Sequence, residues 1–218
     1  MARTFRTLLN RYRTVLYLLK GDLIKSTDEP FDKEKAMAPP VRTPRQAWID
    51  AGLAALEEHG PDAVRVEALA ARLGVTRGGF YRQFRSRDEL LEAMLDDWER
   101  RAVDEVLQQV EREGGDPRDR MRRAGMLTFA EDLTPLDLAI RAWARRDPTV
   151  AERLRKVDNA RMDYLRSMLQ SSGVAPDDVE AVALLAFSVM IANRLIKADH
   201  PGKSRDEVLV RARHLLLG

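Results

Sequence analysis

Gly74-Val75-Thr76-Arg77-Gly78-Gly79-Phe80-Tyr81-Arg82-Gln83-Phe84-Arg85-Ser86-Arg87 joins a tight turn to a short basic helix and then to the start of another helix. From Arg72 to Arg87 there are five arginines and no acid, in a chain of 37 basic and 35 acidic residues. A local excess of one sign inside a balanced chain points to a polyanion met by this segment alone. Upstream, Val66, Leu69, Ala70 and Leu73 fall on one helical stripe, and Gly74 is the residue type that ends a helix in a left-handed conformation. Val75 is then placed to plug the corner, and Thr76 to cap a second helix by accepting from an amide one turn on. In that helix Phe80 and Phe84 are four apart and face inward, which leaves Arg77, Tyr81, Arg82 and Arg85 outside. A helix, a glycine-containing turn and a second helix with a basic face make a helix-turn-helix pattern.

The bland alternative is that these arginines form an ordinary solvated face. Gly78 and Gly79 argue against it, because each costs roughly 1 kcal/mol in a helix relative to alanine. A helix made only for stability avoids them, whereas one whose backbone comes close to a phosphate or a base edge has a use for them.

The run from Arg45 to Leu91 resembles the DNA-binding domain of the tetracycline-repressor (TetR) family of bacterial transcription regulators. Arg45, Ile49, Ala51, Leu53, Leu56, Gly60, Val66, Leu69, Ala70, Gly74-Val75-Thr76, Tyr81, Phe84 and Ser86-Arg87-Asp88-Glu89-Leu90-Leu91 carry the resemblance. Two residues depart from it. Gly79 stands where the family often has threonine or alanine, which removes an apolar contact to a thymine methyl. Arg82 stands where it often has histidine, which adds a donor for a phosphate or a guanine. The resemblance implies an all-α fold, with a three-helix DNA-binding head over residues 41–86 and a helical ligand-binding and dimerisation body over 87–218. It also implies operator DNA as partner. Thr76, Tyr81, Arg65 and Arg87 are expected at phosphates, as is Arg45; Arg77, Gly78 and Arg82 are expected nearest the base edges, with Gly79 beside them. Repression by a homodimer that a small molecule releases from its operator is the implied activity.

Local signals divide the rest of the chain. Thr43-Pro44-Arg45-Gln46 reads as a helix start with threonine as cap and glutamine completing a capping box, and Gly60-Pro61 as its stop. Ser86-Arg87-Asp88-Glu89 repeats the capping-box logic. The helix that follows buries Leu91, Met94, Leu95, Trp98, Ala102, Val106 and Val110 and ends at Gly114-Gly115. At 1.5 Å per residue it extends nearly 40 Å, a lever from head to body. Further helices are expected near 117–130, 135–146, 148–171, 176–198 and 204–216, from starts at Asp116-Pro117, Thr134-Pro135, Asp147-Pro148 and Ser204-Arg205-Asp206-Glu207. Val179 to Ile196 is apolar nearly all round. With Val208, Leu209, Ala212, Leu215 and Leu216 it predicts a four-helix interface in a two-fold dimer, through residues of about 176–216.

Candidate residues for a small apolar ligand are Trp98, Met126, Phe129, Trp143, Tyr164 and Met190, although each also reads as ordinary core. Asn193, an amide in the most apolar helix, needs partners and is expected to meet either a ligand or its twin across the dimer.

Residues 1–40 are the least expected part. Phe5, Leu9, Tyr12, Leu16, Leu19 and Leu23 alternate in spacings of four and three, which predicts an amphipathic helix, and Ser26 to Pro40 reads as a linker. The helix packs on the protein itself or its twin, lies on a membrane surface, or belongs to an extension upstream of a natural start at Met37. An interaction or membrane-associated role through this helix is the rival to the regulator.

The totals exclude other classes. Cysteine is absent and the three histidines, His59, His200 and His214, lie far apart without carboxylates at ligand spacing, so no metal and no cofactor is expected. No nucleophile with its base, carboxylate dyad or phosphate-binding loop can be assembled, which speaks against an enzyme. With no membrane-length apolar run and no signal-peptide pattern, a soluble cytoplasmic protein is expected.

Overall fold

The computed structural model describes residues 43–128 and 134–217, and every regular element among them is helical. The expected N-terminal helix and its linker, and Phe129, lie outside the described residues. Helix α1 spans Arg45–His59, α2 Val66–Arg72 and α3 Arg77–Tyr81, with a short 3-10 turn at Pro61–Ala63 between the first two. A continuous rod follows: α4 at Arg87–Glu99, a π-helical segment at Arg100–Glu105, and α5 at Val106–Glu113. After the rod come α6 at Pro117–Thr128, α7 at Thr134–Ala144, α8 at Pro148–Ser171, α9 at Val179–Leu195 and α10 at Arg205–Leu217.

The helix ends follow their punctuation. Gly60, Gly114 and Gly173 terminate α1, α5 and α8 with positive φ. Asp147 caps α8 by accepting from the amides of Thr149 and Val150. Ser204 and Glu207 form a reciprocal capping box at α10.

Several boundaries differ from expectation. Thr43 is not the cap of α1: Pro44 is, in extended backbone and without a side-chain bond, and the Gln46 amide turns to Asp50 Oδ1 and Asp97 Oδ1 instead of completing a capping box. At α4 the Ser86 hydroxyl accepts from the Glu89 amide as expected, but Glu89 reaches one residue further back, to the Arg85 amide at 2.7 Å. Helix α9 is shorter at both ends, because residues 176–178 form turns and Ile196 is extended. The lever is not uniformly α-helical, since its middle is widened into a π turn.

One buried core runs from Trp48, Leu56 and Leu69 through Phe80, Phe84, Leu90, Met94 and Trp98 to Ile140, Trp143, Val150 and Val157. A second cluster, around Met162, Leu169, Val179 and Ala183, joins α8 to α9. Charges fix the lever within this frame. Arg153 of α8 bonds three carboxylates of α4, Glu92 at 2.8 Å together with Asp96 and Glu99. Burial opposes its charge, yet Glu99 and Asp96 hold the guanidinium firmly cationic. Where α4 meets the π segment, buried Asp97 pairs with Arg100 and Arg101, and Arg101 goes on to Asp50 of α1 at 2.8 Å.

Candidate nucleic-acid interface

The corner between α2 and α3 is closed by two bonds of a Schellman motif. Val75 N–H donates to Ala70 O at 3.0 Å and Gly74 N–H to Ala71 O at 3.1 Å. Gly74 takes φ +66°, the left-handed backbone this motif requires. Val75 then packs on the core. Phe80 is fully buried and lies edge-on to Trp48 and stacked on Phe84, with ring centroids 5.4 and 5.3 Å away. This aromatic wedge fixes the roll of the short α3 and turns Tyr81 and the arginines outward. Thr76 stands at the cap position of α3 in extended backbone, but its side chain makes no capping bond, contrary to expectation. The hydroxyl therefore remains on the surface of the corner.

The arginines divide into two groups. Arg72 grips Glu58 of α1 through two bonds of 2.9 and 2.8 Å, and that grip holds the Glu58 carboxyl below its ordinary range. Arg45 donates to Gln83 O, lies 3.2 Å from Glu89 Oε1 and covers the Phe84 ring at 4.0 Å, while staying partly exposed. Arg87, expected at a phosphate, donates through Nε to Val64 O at 2.6 Å and through a terminal nitrogen to Pro61 O at 2.7 Å. It clamps the connection between α1 and α2 onto the first turn of α4. By contrast Arg65, Arg82 and Arg85 are exposed, and no ion pair of theirs is found among the described residues. Arg77 is exposed as well, with Nε 3.2 Å from Glu67 Oε1. The Tyr81 hydroxyl and the Glu67 carboxylate both favour its charged form.

The two glycines of α3 differ. A Cβ on Gly78 would meet only Thr76 Oγ1, at 3.7 Å, and would point to the open side. A Cβ on Gly79 would instead face Trp48 and Val75 at 3.7 and 3.9 Å, ordinary packing distances on the inner side. Gly78 thus lies on the outer face with Arg77, whereas the side-chain direction of Gly79 is toward the core.

The described residues among those expected around a ligand do not converge. Trp98 and Trp143 are core side chains, Met126 is 61% exposed, and Tyr164 bonds Glu111 at 3.4 Å, where burial and that carboxylate push its phenol up. Met190 is half-buried in α9. Asn193 pairs within its own chain, its side-chain oxygen and carbonyl accepting from Arg205 of α10 at 3.1 and 2.7 Å. Of these residues Trp143 borders a cleft of about 190 Å³ between α4 and α8. A wider, open cleft of about 410 Å³ lies between α7 and α8, lined by Ala144, Ala151 and Leu154 with Arg141, Arg145 and Asp158. Sequence reasoning missed an ionic cluster beside it, in which Asp137 and Arg161 are buried and Arg141 and Asp158 partly so. Arg141 bonds Asp158 at 2.6 and 2.8 Å and Asp137 at 2.9 Å, and Arg161 bonds Asp137 at 2.9 Å while reaching Ala102 O of the π segment at 3.5 Å. Its sequence signal was two acids and two arginines on otherwise apolar helix faces.

Among the described residues no helix is long and apolar enough to cross a membrane, and no group of acidic, histidine or cysteine residues is placed to hold a metal.

A family model described as bacterial regulatory proteins, tetR family, matches residues 49–94. The chain is 30% identical over 158 residues to the HTH-type transcriptional repressor KstR of Mycolicibacterium smegmatis, an alignment covering 71% of this chain and 76% of that one. Its fold is similar to that of a transcriptional regulator from Saccharomonospora viridis solved with choline, at 15% identity and a TM-score of 0.66, over 79% of this chain and 94% of the other. A transcriptional regulator from Rhodococcus sp. Rha1 superposes with a TM-score of 0.59 at 24% identity, over 81% and 95% of the two chains.

Proposed function

Since the chain belongs to the tetR family of bacterial regulatory proteins and is a DNA-binding transcriptional regulator, we propose that it works as a homodimeric repressor released from its operator by a small molecule. Residues 41–86 supply the DNA-binding head and 87–218 the body. The observation that carries the reading is the outer face of the α2–α3 corner, where Arg65, Arg77, Arg82 and Arg85 are exposed around Gly78 and the free Thr76 hydroxyl. Arg65, Thr76 and Tyr81 meet phosphates, while Arg77 and Arg82 face base edges with the backbone of Gly78 close by. Arg45 and Arg87 serve first as internal clamps. Two such heads in a two-fold dimer enter successive major grooves roughly 34–36 Å apart. A second subunit covers the apolar surface of α9 and α10, where Leu184, Leu185, Val210 and Leu215 are exposed in the single chain.

For release, a small ligand in the cleft between α7 and α8 displaces Arg141 or Asp158, and the Asp137–Arg161 pair carries the change to Ala102 in the lever. Repression by occupancy of the operator needs no further machinery. The role is that of a regulator and not an enzyme.

The test is binding of the purified protein to the DNA flanking its own gene against random DNA at equal salt, with footprinting. A protected pseudo-palindrome preferred by roughly a thousandfold or more supports the reading. Equal binding to both, fading steeply with salt, reduces the corner to a basic patch and overturns it.

A further inference from the structure

Glu67 is an acid on the face that DNA binding needs positive. Its side chain and that of Arg77 are 62% and 60% exposed, with Oε1 3.2 Å from Nε. An ion pair that open adds little to stability in water, because solvent screens it and two long side chains must be ordered to make it. Near phosphates, moreover, the carboxylate is repelled. The pair therefore needs another reason.

The engaged nitrogen supplies one. Nε, the nitrogen nearest the carboxylate, sits on the stem side of the guanidinium, so Glu67 holds the group from behind and leaves the two terminal nitrogens further from it, with the Tyr81 hydroxyl bonding the same guanidinium from one turn on. Those two form the fork that matches O6 and N7 of guanine in the major groove. Arg77 opens α3, and Tyr81, four residues on, flanks it from the same face. Next to it Gly78 carries no side chain, and nothing but the Thr76 hydroxyl lies near the space a Cβ would take, so no bulk holds the backbone of α3 away from a groove floor. Pinning the fork before contact also lowers the rotamer entropy lost on binding.

We propose that Glu67 is a positioning residue for base recognition, holding Arg77 so that its terminal nitrogens take a guanine bidentately; this deepens the DNA-binding reading above and rests on it. Glu67 makes the site selective at the expense of phosphate attraction. Removing its charge should then weaken discrimination and strengthen random binding together, a pair of opposite signs that a merely structural role does not produce.

The experiment is selection of the full chain against a pool of randomised duplexes, followed by titration of the selected duplex and of random duplex at two salt concentrations. The wild type should select a guanine at one position of each half-site, and Arg77→Ala should lose that preference by on the order of tenfold or more. Glu67→Gln should lower the same preference about threefold to tenfold at that position only, raise affinity for random duplex, and unfold at the wild-type temperature. Glu67→Asp, which keeps the charge on a shorter stem, should recover part of the preference. A Glu67→Gln protein with an unchanged guanine preference overturns the proposal, as does one weakened equally at every position. Loss of preference at a different base pair makes Glu67 itself a reader, through a cytosine amino group, and also overturns it. If the wild type selects no sequence at all, the DNA-binding reading fails first and takes this one with it.

Discussion

A methyl group added at Gly74 meets no atom within 4 Å, yet φ there is +66°. The obstacle is the backbone and not the space, so Gly74→Ala should destabilise the protein by about 1–2 kcal/mol in urea unfolding. Gly78 and Gly79 lie in helical backbone without positive φ and have room for a Cβ. Each substitution by alanine there should stabilise by about 1 kcal/mol. The two differ in direction, so Gly79→Ala should leave DNA affinity nearly unchanged, while Gly78→Ala, on the outer face, should lower it despite the gain in stability. Equal effects on DNA binding would remove the distinction between the faces. Acid sensitivity belongs to this scale as well. The Arg72 side chain holds Glu58 below its ordinary value of 4.5, and the Arg85 amide, with Arg45, does the same for Glu89. A carboxyl lowered in the folded state stabilises above its unfolded value, and that contribution disappears as pH falls through the folded one. Stability should therefore fall with pH below about 4.5, and less steeply in Glu58→Gln and Glu89→Gln, as thermal melts across that window would register. The inward turn of Phe80 and Phe84 was legible in the sequence because it depends on spacing alone. The partners of Arg72 and Arg87 were not, since they come from segments 14 and 23–26 residues away and depend on rotamers.

Helices and their joints set the next scale. Arg87 ties the first turn of α4 to the carbonyls of Pro61 and Val64, so Arg87→Ala leaves two acceptors without a charged donor. A loss of about 2–3 kcal/mol is expected, read by thermal unfolding, with DNA affinity largely retained below the transition. If affinity disappears while stability holds, Arg87 is a phosphate contact after all. The π segment had a signal that was present in the sequence and overlooked. Met94, Trp98, Ala102, Val106 and Val110 are all buried and strictly four apart. In an α-helix of 3.6 residues per turn that spacing drifts by roughly 160° over the run, and a widened turn at Arg100–Glu105 takes up much of it. The carbonyl of Ala102 in that turn is where Arg161 arrives from α8. Asp137 and Arg161 are each almost wholly enclosed, at 7% side-chain exposure. Asp137→Ala leaves Arg161 without its nearest countercharge, and a cost of about 3–5 kcal/mol follows for an uncompensated buried charge. Chemical denaturation measures it, and replacement of Asp137 and Arg161 together by apolar residues should recover much of the loss.

At the scale of the whole molecule, the all-helical order of elements was legible because glycines, Asp-Pro starts and apolar stripes mark it locally. The proposed ligand cleft was not, because it is made by packing α7 against α8, and the described aromatic and methionine residues that suggested a ligand site are divided between core and surface. The apolar character of α9 has a different consequence. Only Val179 and Ala183 of that helix are buried, while Leu184 and Leu185 remain more than half exposed, as do Leu195, Ile196, Val210 and Leu215. Burying a large aliphatic side chain contributes about 1.5–3 kcal/mol, so a surface of this kind, repeated by two-fold symmetry, is enough to drive association. Leu215 is the most exposed of them, at 70%, and touches little of its own chain. Leu184→Glu with Leu215→Glu should therefore leave helix content and the burial of Trp48 intact while converting the protein to a monomer in sedimentation. Each monomer keeps its head but loses the second half-site held by the first, which multiplies affinity by about a hundredfold or more in linked binding. Operator affinity should fall by at least that factor, with affinity per head for random DNA much less affected. A variant that stays dimeric would place the subunit contact elsewhere, and one that is monomeric yet binds the operator at full strength would show that a single head suffices.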